Sequence, residues 1–191
     1  MLSSIPAWLG RIGLSRTDIG NFGDDILITG SALCAMHRTP CGMSLGWERV
    51  EQDSRGRLRY SYPAGAQKGI VRSRVRDPIA RRILLTCGPL PALCAQVIDG
   101  ARHDTVAIGL GGCWTDASAE IVEHHVSAGA REIVLAFADH PAGTRSHDAA
   151  VAFIRKSPLG LERLTRRTPA CRTWPETLQV LRSLSADGSA S

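Results

Sequence analysis

The sequence predicts an α/β protein: a parallel sheet flanked by helices, preceded by a small α+β subdomain made of a helix and a β-hairpin. Three observations carry this. Beyond residue 82, short apolar segments alternate with helix-length segments, and connections this short imply a parallel sheet covered by helices. Before residue 60, apolar and polar residues alternate with the period of strands around a turn at 39–42. Finally, 191 residues with 43% hydrophobic content can bury a proper core, while 5% aromatic content disfavours a Tyr- and Trp-rich sandwich.

The elements follow in order. Ile5, Trp8, Leu9, Ile12, Leu14 and Ile19 form a short amphipathic pattern broken by glycines. Residues 26–59 read as strands, and 60–69, with Pro63, Gly65 and Gly69, as loop. Residues 83–86 are a short buried strand closed by Gly88 and Pro89, and 91–98 a helix ending near Gly100. A strand over 105–110 ends in Gly111 and Gly112, and Thr115 caps a helix running to Gly129. Another strand spans 132–137, followed by a turn at Pro141 and a helix over 146–156. Residues 161–166 complete the strands, and Pro175 opens a last helix over 176–184. The expected division is 1–80 for the helix and basic hairpin, 81–184 for the α/β domain and 185–191 for a flexible tail.

Net charge is +5, but it is sorted by region. Between residues 54 and 82 nine basic residues face only Asp77; between 99 and 141 seven acidic residues face two arginines; between 155 and 172 six basic residues face Glu162. The six cysteines form no CxxC pair, residues 1–13 lack the basic start and long apolar run expected of a leader, and no apolar run reaches membrane length. The expectation is a soluble cytoplasmic protein with free thiols and no membrane partner.

Several constellations have plain structural readings. Gly109-Leu110-Gly111-Gly112 lacks both a dinucleotide spacing and a Walker lysine, so it reads as a tight turn. Ser146-His147-Asp148 holds triad residue types, yet adjacent residues cannot converge as nucleophile, base and orienter. Glu120, Glu123, His124 and His125 do not match HExxH and read as a polar helix face. Cys34, His37 and Cys41 offer three ligand types across a hairpin where a structural zinc needs four.

Three stretches carry a resemblance: 82–86, Arg-Ile-Leu-Leu-Thr; 133–143, Ile-Val-Leu-Ala-Phe-Ala-Asp-His-Pro-Ala-Gly; and 172–178, Arg-Thr-Trp-Pro-Glu-Thr-Leu. Together with 5–9, 13–15, 35–38 and 68–70 they resemble the toprim (topoisomerase–primase) family, in the branch found in plasmid mobilisation and primase-like proteins. The family pattern places a glutamate after the first strand, and here that position is Cys87. It places an Asp-x-Asp pair after the later strand, and here those positions are Ala138 and His140, with Asp139 between them. The usual Lys-Asp-Trp-Asn ending is replaced by Arg172-Thr173-Trp174-Pro175.

The resemblance implies a catalytically degenerate toprim protein of plasmid or mobile-element DNA metabolism, primase- or relaxase-associated. It would bind DNA or RNA non-specifically, with replication or mobilisation proteins as further partners. Cys87 and His140 are weak soft-metal candidates, and no cofactor is expected. Mg²⁺ enters only under the alternative of an active primase- or nuclease-like enzyme with altered ligands; a protein-interaction scaffold is the third reading. The expected nucleic-acid surface comprises Arg55, Arg57, Arg59, Lys68, Arg72, Arg74 and Arg76. The alternation of its arginines would place basic rows, with charges about 7 Å apart, on two strands. Trp47, Tyr60 and Tyr62 are the expected base-stacking residues.

Overall fold

The computed structural model describes residues 5–74, 77 and 79–188. The chain opens with α1 (Ala7–Ile12), which ends at Gly13 in the left-handed region, and α2 (Arg16–Gly20), whose Ser15 and Asp18 form a reciprocal capping box. A 3-10 turn at Gly23–Asp25 leads into the first sheet. Its strands are β1 (Ile26–Thr29), β2 (Ala32–Arg38), β3 (Ser44–Gln52) and β4 (Leu58–Ser61), joined as an antiparallel meander in that order. The expected hairpin is therefore four strands wide.

The second sheet has the order β5-β7-β6-β8-β9. Strands β6 (Arg82–Thr86), β7 (Thr105–Gly109), β8 (Glu132–Leu135) and β9 (Arg163–Arg166) are parallel, as the alternating pattern predicts. The edge strand β5 (Val71–Arg72) pairs antiparallel with β7. It is only two residues long and shows no periodicity in the sequence. Four helices complete the domain: α3 (Pro89–Ile98), α4 (Asp116–Ser127), α5 (Pro141–Lys156) and α6 (Trp174–Gly188). Proline occupies the first turn of α3 and of α5, where its missing N–H is no loss, so both helices start earlier than their apolar pattern suggests. The last helix continues through Gly188, past the residue at which the sequence reading begins a tail.

All five residues of β6 and of β7 are buried, because helices cover both faces of the sheet. Leu84, Ala107 and Val134 pack with α3 and α6, and this core continues without a break through Trp8, Leu9 and Phe22 to Leu33, Ala35 and Val50 of the first sheet. Ile83, Leu85, Val106, Ile108, Ile133 and Leu135 face α4 and α5 on the other side. One apolar cluster thus ties the antiparallel sheet to the parallel one, and a bridge between Arg38, at the end of β2, and Ile70, just before β5, joins the two. No helix among the described residues is long and apolar enough to cross a membrane.

His125 on α4 gives this core a pH dependence. Burial, with the charges of His124 and Arg72 adding, pushes the imidazole down to about 4. A base whose folded value lies below its unfolded value near 6.5 contributes its full stability above that pH and loses it as pH falls toward 4. At pH 5 the loss should amount to about 2 kcal/mol. Denaturant midpoints of wild type and His125→Leu at pH 7.5 and pH 5 check this: the wild type should lose more stability than the variant.

Candidate functional site

In an open parallel sheet, chemistry collects beyond the carboxyl ends of the strands. Here β6 runs into Cys87 and β8 into Ala138, Asp139 and His140. Cys87, Ala138 and His140 do converge, lining a cavity of about 170 Å³ with Tyr60 and Leu58 from β4 and Trp174 from α6. The indole is fixed as one wall by its Nε1–H, which donates to the Ala136 carbonyl at 2.7 Å. A second hollow of about 250 Å³ shares Tyr60, Cys87 and Pro91 with the first and adds Glu48, Tyr62 and Lys68. Together they form a groove between the antiparallel sheet and the carboxyl edge of the parallel one.

The glycine stretch after β7 serves this groove. A Cβ on Gly111 would lie 2.7 Å from the Lys68 Cβ, so the glycine allows the Lys68 segment to pack at the strand end. The Lys68 ammonium then sits 5.0 Å from the Tyr62 ring centroid, a cation–π geometry. Gly143, in the first turn of α5, has the same logic: a Cβ there would overlap the Ala138 carbonyl oxygen.

The electrostatics at Cys87, Ala138 and His140 differ from those of a magnesium site. Burial pushes the Cys87 thiol up to about 11, partly opposed by a hydrogen bond from the Ala138 backbone, so the thiol stays protonated at neutral pH. His140 is the N-cap of α5, and its Nδ1 accepts the Gly143 N–H at 3.2 Å, leaving the ring proton on Nε2. Ala138 offers no ligand atom. Asp139 points out of the groove, as alternation along an extended backbone predicts: its side chain is 77% exposed and faces Arg166 at 3.4 Å.

The carboxylate that does line the groove is Glu48, and it is already committed. It accepts the His37 Nε2–H at 2.9 Å and hydrogen-bonds Tyr62, whose hydroxyl is pushed up by burial and by the Glu48 charge. The Gly69 N–H donates to the other nitrogen of His37 at 3.1 Å. Among the described residues no group of three His, Cys, Asp or Glu side chains is arranged to hold a metal. Mg²⁺ needs several oxygen ligands, and a half-buried thiol, a methyl group and a capping imidazole do not fit it.

The other sequence candidates fall as follows. Trp47 lies on the face of β3 opposite Glu48, away from the groove, whereas Tyr60 and Tyr62 line it. The first basic row does not form: Arg55 is in the β3–β4 turn and Arg57 precedes β4, and both backbone amides donate to Asp53 at 2.9 Å. Arg59, on β4, pairs with Asp53 at 3.1 Å on the face away from Tyr60. Lys68 reaches the groove. Arg72 and Arg74 line a separate cavity beside His125, and Arg76 lies outside the described residues. Arg82, counted in the basic segment, is buried against Asp99 and Glu132.

Cys34 and His37 sit on opposite faces of β2, because three positions in a strand reverse the side chain, so no hairpin metal site forms. Ser146 is buried and accepts the Trp114 N–H at 3.2 Å, while His147 pairs with the neighbouring Asp148 at 3.2 Å. Two groove residues were not singled out from the sequence. Glu48 is marked only by its register, two before the buried Val50, and Leu58 only by opening β4.

This architecture, with its toprim-like parallel sheet and an antiparallel sheet over the carboxyl edge, is similar in fold to DNA primase catalytic cores. The chain superimposes on the DnaG catalytic core with a TM-score of 0.60 and 13% identity, over 96% of this chain and 71% of that one. On the primase fragment of the bacteriophage T7 primase-helicase the TM-score is 0.53 at 16% identity, over 95% and 74% of the two chains. A structure of the bacteriophage T7 lagging-strand DNA polymerase interacting with primase domains bound to an RNA/DNA hybrid and dTTP matches at 0.50 and 14%, over 94% and 90%. No family model and no curated protein sequence matches the chain.

Proposed function

We propose that the chain binds single-stranded nucleic acid in the groove between its two sheets, and does so without phosphoryl transfer. The observation that carries the reading is the groove itself: Cys87, Ala138 and His140, which the toprim resemblance aligns with that family's carboxylates, line one slot with Tyr60 and Trp174. A slot with aromatic walls, a His140 Nε2–H at its edge and Lys68 beside it suits an unpaired base and its phosphate, and sequence-independent binding follows from that chemistry. The process served is plasmid or mobile-element DNA metabolism beside a primase or relaxase, with replication proteins as partners. The fold shared with primase cores supports the DNA-metabolism part of this reading, and the polymerase interacting with primase domains in one related structure supports a replication partner.

The test is fluorescence anisotropy with labelled oligothymidylate and oligouridylate. Tyr60→Ala should weaken binding by about 1–3 kcal/mol, the worth of one stacked base. Lys68→Gln should lower the slope of log affinity against log salt by about 0.7, the share of one single-strand phosphate. Arg59→Gln, on the outer face, should change little. Unchanged affinity in both Tyr60→Ala and Lys68→Gln would remove the groove as the binding surface.

A further inference from the structure

Beyond the groove, where β2, β5, α4 and the 3-10 turn meet, lies a separate cavity of about 370 Å³ lined by Arg38, Arg72, Arg74 and His125 together with Asp24 and Asp25. Arg38 ends β2, Arg72 ends β5, Arg74 follows it, and His125 comes from α4. Three guanidinium groups thus approach one hollow from two sheet edges, over an apolar floor of Phe22 and Val106.

The charges do not cancel evenly. Arg38 is held in place, donating Nε to Asp25 at 2.7 Å and Nη1 to the Gly42 carbonyl and the Ser44 hydroxyl at 3.0 and 3.1 Å. Its charge is therefore spent on Asp25. Arg74 lies across Gly23, where a Cβ would come within 2.6 Å of its guanidinium carbon. Its pairing with Asp24 is long, 3.5 Å, between two exposed groups, and such a pair is worth little. Arg72 has no acidic partner among the described residues, so the cavity keeps a net positive charge.

His125 supplies the independent observation. It is 9% exposed, and among the described residues its Nε2 has no hydrogen-bond partner. Buried polar atoms are satisfied in the great majority of cases, by protein, water or a bound group.

We propose that this cavity is a phosphate-binding site, in which Arg72 and Arg74 grip the phosphate oxygens and His125 supplies a further hydrogen bond. Guanidinium groups bind phosphate through paired, charge-assisted hydrogen bonds, which suits this donor set. The volume falls at the low end of small-molecule sites, about 300–1,000 Å³, and admits a mononucleotide. It also lies within reach of a strand leaving the groove, since Lys68 and Arg72 are separated by at most about 13 Å of chain. The phosphate is common to both sources, and the probes tell them apart.

The experiment titrates the protein with inorganic phosphate and with adenosine 5′-monophosphate by calorimetry, following the His125 ring nitrogens by NMR. Saturable binding is expected, with a shift of the His125 signal. Arg72→Gln and Arg74→Gln should each lower the affinity about tenfold. Tyr60→Ala should leave the affinity for inorganic phosphate, which has no base to stack in the groove, unchanged, and this separates the site from the groove and its reading from the one above. If a strand supplies the phosphate, inorganic phosphate will compete with oligothymidylate on wild type but not on Arg72→Gln. If a free nucleotide does, the monophosphate will bind without displacing the strand. Thermal melts of each variant confirm that it is folded, and Arg72→Lys, which keeps the charge, should retain more affinity than Arg72→Gln. The proposal is overturned if wild type shows no saturable binding of either probe up to about 10 mM. Equal affinity in a folded Arg72→Gln, Arg74→Gln double variant would overturn it as well.

Discussion

Replacing Asp99 with alanine is expected to destabilise the protein by about 3–5 kcal/mol, the largest effect of any single polar substitution outside the groove. Asp99 sits at the C-terminal end of α3 and is nearly buried, with its carboxylate held by Arg82 from β6 and by Arg167, the latter at 2.5 Å. Arg82 is itself 6% exposed, and its only other acidic neighbour among the described residues is Glu132 at 3.3 Å. Removing the carboxylate leaves Glu132 as the one remaining carboxylate, among the described residues, to offset the desolvation of a buried guanidinium. The double variant Arg82→Leu, Asp99→Leu removes both charges and should lose much less than the single one. Equilibrium denaturation of the two variants decides the matter. Near-equal losses in both would mean that Asp99 acts by packing rather than by charge.

The second large effect concerns metal chemistry. Purified protein supplied with Mg²⁺, nucleotides and template should make no primer, and with supercoiled DNA it should neither relax nor nick. The reason is the ligand chemistry at the strand ends: a thiol held protonated, a methyl group and an imidazole already spent on a helix cap. The hard cation needs carboxylate oxygens that these positions lack, and the nearby Glu48 is bound to His37 and Tyr62. Two soft donors are too few for a zinc site, so as-purified protein should contain little zinc. Metal-dependent product that Cys87→Ala, His140→Ala abolishes, or near-stoichiometric zinc lost in His140→Ala, would restore the enzyme reading.

The parallel sheet was legible because buried strands and amphipathic helices leave separate patterns, and every helix of the second half carries a proline or a capping residue near its start. The convergence of Cys87, Ala138 and His140 was legible too, since strand ends in a parallel sheet share one edge. What escaped is what local pattern cannot encode. Strand β5 has two residues and gains its identity only by pairing with β7. Arginines spaced i, i+2 look like a strand row, but Asp53 gathers the backbone of Arg55 and Arg57 into a turn before β4 begins. His125 read as one more polar residue on a helix, yet α4 turns it inward beside Arg72. For β5 and His125 the deciding partners lie far off in sequence, whereas Asp53 stands close to the two arginines whose backbone it gathers.

The most direct test of the central claim is photocrosslinking of a single strand carrying 4-thiothymidine, performed in EDTA and mapped by mass spectrometry. The account predicts crosslinks in the groove, on the segments carrying Tyr60, Cys87 and Trp174, with the same yield in EDTA and in Mg²⁺. Crosslinks confined to the turn around Arg55 and Arg57, or crosslinks that appear only with Mg²⁺, would contradict it.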